Sequence, residues 1–188
     1  YRANNDLLHY ELDVRVDPDK KVISGKNTIR FKMLKDDTRI QLELYANYAI
    51  DKILMGATPL RSERDHNTVY VDFPETLRAG RTYTIDFHYR GRPEERGRFG
   101  GLAFRKDPAG RHWINTANEG EGSIVWWPSK DQWRDEPDGA DHIHARLSGD
   151  NCYGDAKFAR IDGWMAANAI TRDAAHIRAY SDHVSDHP

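Results

Sequence analysis

Glu119 and Glu121 are the side chains best placed by type and spacing to do chemistry, each followed by a glycine in the run Ala117-Asn118-Glu119-Gly120-Glu121-Gly122-Ser123. Glycine removes bulk beside each acid and opens backbone conformations closed to other residues, so a ligand can approach closely. Trp126, Trp127 and Trp133 follow within a few residues, and the stretch ends at Asp135-Glu136-Pro137. It holds no paired nucleophile and base and no His-Glu-x-x-His, which leaves a binding site without a self-sufficient catalytic set.

Other uses of these residues are weaker. Two acids two positions apart on one strand face cannot oppose each other across a sugar ring, which disfavours glycosidase chemistry. Gly120 and Gly122 do not make a phosphate loop, because the neighbouring glutamates repel phosphate and no helix follows. The tryptophans, Trp113 included, are expected to supply core or interface area. His142 and His144 lack a third metal-like ligand and read as surface residues. Asp135, Glu136, Asp138 and Asp141 lack the order of a calcium loop and read as a turn with solvated charges. Cys152 has no basic neighbour and reads as an inert thiol.

The elements that must position Glu119 are strands. Tyr10, Leu12, Val14 and Val16 alternate with Glu11, Asp13 and Arg15, the period of a half-buried strand. Asp17-Pro18-Asp19-Lys20 supplies a tight turn, and Ile29, Phe31 and Met33 alternate on the return, giving a long antiparallel hairpin. The rhythm recurs at Ile40–Leu44, Val69–Phe73 and Tyr83–Tyr89, with Leu102–Phe104 and His112–Thr116 resuming it after a Gly-, Arg- and Pro-rich loop at 90–101. The fold class expected is all-β, an antiparallel sandwich or curved sheet with one wet face.

With 188 residues the chain has room for one ordinary domain and a real core. Its 28 basic and 30 acidic side chains nearly cancel, so no global field attracts nucleic acid or an anionic membrane, and neither is an expected partner. No apolar run approaches the roughly 18 residues of a membrane span. One cysteine cannot form an internal disulfide, and the compartment stays open. Because the chain opens on Tyr1 rather than Met, a segment upstream is expected.

Tyr10–Val16, the hairpin from Asp17 to Lys26, the run Arg39–Leu44, and Glu119-Gly120-Glu121-Gly122 leading to Trp126-Trp127-Pro128, in this order and spacing, resemble the N-terminal domain of M1-family zinc aminopeptidases, the aminopeptidase N group. The resemblance covers about residues 5 to 143. It implies a saddle-shaped, mostly antiparallel β domain ahead of a separate thermolysin-like catalytic domain that carries the zinc. The family's metal site, His-Glu-x-x-His with a downstream Glu, and its Gly-x-Met-Glu-Asn strand are absent from this sequence. The chain is therefore expected to have no catalytic residue, metal site or cofactor of its own and to be inactive alone. Its implied partners are the catalytic domain of the same polypeptide and the N-terminus of a peptide substrate.

The resemblance also implies a Glu or Gln nine positions before the proline of the aromatic-Pro step, which here is Glu119, binding the substrate's α-amine. Asn118 and Glu121 flank it and would shape the pocket for the first residue, beside a strained, sometimes cis, peptide at Glu119-Gly120. Ser129 departs from the cysteine that often follows the proline. The rival reading is a stand-alone β-sandwich binding module for carbohydrate or protein. A gene that continues into His-Glu-x-x-His would exclude it.

The division expected is a β domain over residues 1–143 and an atypical tail over residues 144–188, where the period-two rhythm stops. The tail reads as irregular, partly helical at Ala156–Ala179, loosely docked or disordered. A reading-frame change near residue 144 would produce the same shift, and resequencing the source DNA separates the two.

Overall fold

The computed structural model describes residues 1–95, 100–118, 123–132, 135 and 138–147. Strands follow in the order β1 (Asn5–Asp17), β2 (Val22–Met33), β3 (Asp37–Glu43), β4 (Tyr48–Met55), β5 (Thr58–Pro59), β6 (Arg61–Asp65), β7 (Thr68–Leu77), β8 (Thr82–Gly91), β9 (Gly100–Lys106), β10 (His112–Asn118) and β11 (Gly139–Leu147). A single 3-10 turn, Ser123–Val125, is the helical element among the described residues. The fold is all-β, as the alternation requires.

Six strands form one sheet in the order β11-β1-β2-β8-β4-β5, and β3-β7-β6 form a second. Pairing is antiparallel throughout except between β1 and β11, which run parallel. Leu12, Val14, Ile29, Phe31, Ile85, Phe87 and Tyr89 from the large sheet and Ile40, Leu42, Val69, Val71 and Phe73 from the small one belong to one buried cluster. The rings of Phe31 and Phe73 meet across it at 6.2 Å. Each such side chain contributes about 1.5–3 kcal/mol by leaving water. Gly25 allows close approach at the β1–β2 pair, where an added Cβ would stand 2.7 Å from the Asp13 carbonyl oxygen.

The expected hairpin forms with Leu12 opposite Asn27 and Val16 opposite Ile23. Its turn is tied by the Lys20 amide donating to Asp17 Oδ1 at 3.0 Å. Strands β4 and β6 lacked a period-two signature. A register shift between Ile50 and Lys52 breaks the alternation of β4, and β6 reads Arg-Ser-Glu-Arg-Asp because it lies at the edge of its sheet. Strand β11 runs through residues 143 and 144, where a domain boundary was expected, and ends at Leu147 beside Val16. Residues 148–188, with Cys152 and Ala156–Ala179, lie outside the described residues.

Candidate functional site

The segment carrying the two glutamates leaves a two-stranded ribbon. Strands β9 and β10 pair antiparallel from His112 opposite Lys106 to Asn118 opposite Gly100. At the turn, the Asp107 carboxylate accepts the amides of Ala109 and Arg111, both at 2.9 Å, and the Arg111 guanidinium at 2.6 Å. The Arg111 amide and side chain hold that carboxyl below the usual aspartate range. His112 Nε2 lies 3.1 Å from Asp19 Oδ1, so the ribbon is anchored on the β1–β2 turn. Glu95 pairs with Arg105 on the same ribbon. Trp113 on β10 is 63% exposed, which takes it out of the core.

After the ribbon the chain is described again at Ser123, and from there to Gln132 it is pinned to the sandwich by directional bonds. The Ser123 carbonyl accepts the amides of Trp126 and Trp127, both at 3.1 Å. Ser123 Oγ lies 2.6 Å from Ser129 Oγ. The Tyr45 amide donates to the Ile124 carbonyl at 3.0 Å, and Tyr48 Oη donates to the Val125 carbonyl at 3.0 Å. Asn27 Nδ2, wholly buried on β2, donates to the Pro128 carbonyl at 2.7 Å. Trp126 and Trp127 are each 1% exposed, and Trp127 meets the Tyr10 ring edge-on at 4.9 Å. These two tryptophans are core, which removes them from any carbohydrate platform.

Charged groups lie beneath the same segment. Glu43, at the end of β3, is 3% exposed; its main chain pairs both ways with Ser129, and its Oε2 accepts the Asp131 amide at 2.8 Å. Its Oε1 receives Arg2 Nη2 at 2.7 Å and Gln41 Nε2 at 2.8 Å. Lys130 has a buried ammonium that donates to the Asn5 carbonyl at 2.5 Å and pairs with Asp135, while its amide donates to Tyr10 Oη at 2.7 Å. Burial pushes the Tyr10 phenol well up, which keeps it neutral as an acceptor. Asp135 also accepts the Leu7 amide at 3.1 Å. Burial first, then the Asp135 carboxyl, raises Asp6 above the ordinary aspartate value.

Asp135 thus departs from the solvated turn expected of it, because a lysine removed from water requires an anionic partner. Asp138 is exposed. His144 lies opposite Asp13 in the β1–β11 register. Among the described residues no three His, Cys, Asp or Glu side chains converge as a metal would need.

Of the site residues read from the sequence, Asn118 closes β10 opposite Gly100. Glu119 and Glu121, the Glu119-Gly120 peptide, Trp133 and Glu136 lie outside the described residues. Sequence reasoning missed Glu43, Lys130 and Asn27. Asn27 left a signal, a polar side chain on the inward-facing series Ile23, Ile29, Phe31. Glu43 left none, since it occupies a polar position between Leu42 and Leu44.

The model of the peptidase M1 N-terminal domain matches residues 7–132. No curated protein matches the chain. Among solved structures, an M1 zinc metallopeptidase from Deinococcus radiodurans is similar at 25% identity and a TM-score of 0.58, over 77% of this chain and 32% of that one. A two-domain M1 zinc metallopeptidase variant bound to L-tryptophan has the same identity and TM-score, with 77% and 33% covered. Another bound to L-arginine is similar at 25% identity and a TM-score of 0.58, with 77% and 32% covered. The chain spans about a third of the length of these structures. With the family match covering most of the β sandwich and the whole Asn118–Gln132 stretch, the chain belongs to the M1 peptidase N-terminal domain family.

Proposed function

We propose that this domain is the non-catalytic N-terminal part of a zinc aminopeptidase, which caps the active-site cleft of a catalytic domain in the same polypeptide. Glu119 accepts hydrogen bonds from the protonated α-amine of a peptide substrate, and Asn118 and Glu121 shape the pocket for its first residue. The observation that carries this reading is the family match over residues 7–132, which includes Glu119 and both of its flanks. The similar structures holding L-tryptophan and L-arginine support it, because a free amino acid presents the same α-amine.

An ammonium leaving water needs an anionic partner, and a desolvated carboxylate supplies one at higher strength than a neutral acceptor. The zinc belongs to the catalytic domain. The residues described here do not fit it, and the sequence contains no His-Glu-x-x-His.

Steady-state kinetics of the full-length polypeptide test the assignment. Glu119→Ala should raise KM for a dipeptide at least about thirtyfold, the low end of the cost of removing one partner of a desolvated charge pair. An unchanged KM would remove Glu119 from the amine site.

A further inference from the structure

We infer that residues 1–3 form a strap, hinged at Asn4, whose Arg2 latches the segment after Pro128 through the buried carboxylate of Glu43. The hinge is firm. Asn4 is 1% exposed; its side-chain amide donates to the Arg39 carbonyl at 2.7 Å and to Asp37 Oδ2 at 2.9 Å, and its carbonyl accepts the Leu34 amide at 2.8 Å. Ahead of it the chain is held more loosely. The Tyr1 ring, 54% exposed, meets Tyr70 edge-on at 6.0 Å, with the Arg39 guanidinium 5.6 Å from its centre. Cation–π contacts at exposed positions are weak.

Among the described residues, Arg2 is the one cation that reaches Glu43, with Nη2 at 2.7 Å and Nε at 3.1 Å from Oε1. Its side chain is 44% exposed, whereas that of Glu43 is 3% exposed. A carboxylate kept from water is costly unless a cation compensates it, and removing that one partner is strongly destabilising. The other contacts of the carboxylate, the Gln41 side-chain amide on Oε1 and the Asp131 main-chain amide on Oε2, come from neutral groups. When the strap lifts, Glu43 regains compensation only by admitting water. Its bond to the Asp131 amide and its main-chain pairing with Ser129 are the contacts that then give way. Strap and segment therefore open together, as a local unit of lower stability than the sheet.

The test is amide hydrogen exchange of the intact chain, followed by NMR in the unsubstituted protein, Arg2→Gln, Glu43→Gln and the double variant. Arg2→Gln should accelerate exchange at Ser129 and Asp131 about tenfold, the low end for losing a hydrogen bond to a charged group, and leave Leu34 at the hinge and Phe87 in β8 unchanged. In the Glu43→Gln background no buried charge remains to compensate. There the same change at Arg2 should accelerate Asp131 by less than about threefold, because the two side chains act as one pair.

Unchanged exchange at Asp131 in Arg2→Gln would overturn the strap. Acceleration of Phe87 by the same factor would do so too, since Arg2 would then serve global stability alone. An equal rise at Leu34 would remove the hinge, and the strap with it. An effect undiminished in the Glu43→Gln background would mean that Arg2 does not act through that charge, which overturns the latch.

Discussion

Phe87 and Pro128 lie at the two ends of a contrast in how this domain is held. Phe87, Ile85 and Ile29 in the six-stranded sheet are completely buried or nearly so, and hydrophobic burial holds them without regard to direction. The stretch from Ser123 to Gln132 is buried over 124–130 too, but it has no strand partner along most of its length. Side chains far away in sequence satisfy its main chain one group at a time: Asn27 for Pro128, Tyr48 for Val125, Tyr10 for Lys130 and Glu43 for Asp131. Area stabilises the first region and geometry the second. A region held by geometry can keep a binding group in one place, as the proposed role of Glu119 demands.

Three measurements would sharpen or break that contrast. The largest effect is expected in the sheet, where Phe87→Ala should cost about 3–5 kcal/mol and lower Tm on the order of 10 °C. Hydrogen exchange in that variant should accelerate across the whole sandwich. Acceleration confined to residues 123–132 would erase the distinction.

Asn27→Leu should cost less, about 1–3 kcal/mol, since it leaves the buried Pro128 carbonyl without its donor. Exchange at the Trp126 and Trp127 amides should rise ahead of that in β8. A uniform rise would mean that the segment and the sheet open together.

The smallest effect concerns acid. The amides of Lys20, Ala79 and Arg111 are the main cause holding Asp17, Asp36 and Asp107 below the ordinary value of 3.8. Carboxyls lowered on folding stabilise above their unfolded value, and that stabilisation is lost as pH falls through the folded values. Asp36 and Asp107 lie in turns and Asp17 closes β1 at its hairpin turn, all three outside residues 123–132. Their combined replacement by Asn should therefore flatten the loss of stability below about pH 4 while leaving exchange at Trp126 unchanged. A pH profile identical to that of the unsubstituted chain would place the acid-sensitive groups elsewhere.

Much of the sheet was legible residue by residue. The alternation at Tyr10–Val16, Val69–Phe73 and Tyr83–Tyr89 returned as β1, β7 and β8, because a strand's period of two is a local property. Strand β4 was not legible, since the register shift at Ile50 disrupts its period. The parallel pairing of β11 with β1 was equally hidden, as it joins residues more than 120 positions apart. Around the site, the family resemblance singled out Asn118, Glu119 and Glu121, whereas the residues that clamp the following segment escaped notice. Glu43 looks like any outward-facing strand glutamate until Arg2 and Asp131 cover it.

The sequence by itself determined the β class, the long first hairpin, the missing zinc motif and the carboxylates available to meet an amine, because residue type and short-range spacing carry each of these. Only the tertiary structure decided that Trp126 and Trp127 are core, that Trp113 faces water, and that Lys130, Asp135 and Glu43 are charges kept out of solvent. Burial depends on which distant strands come to lie over a residue, and no local pattern records that.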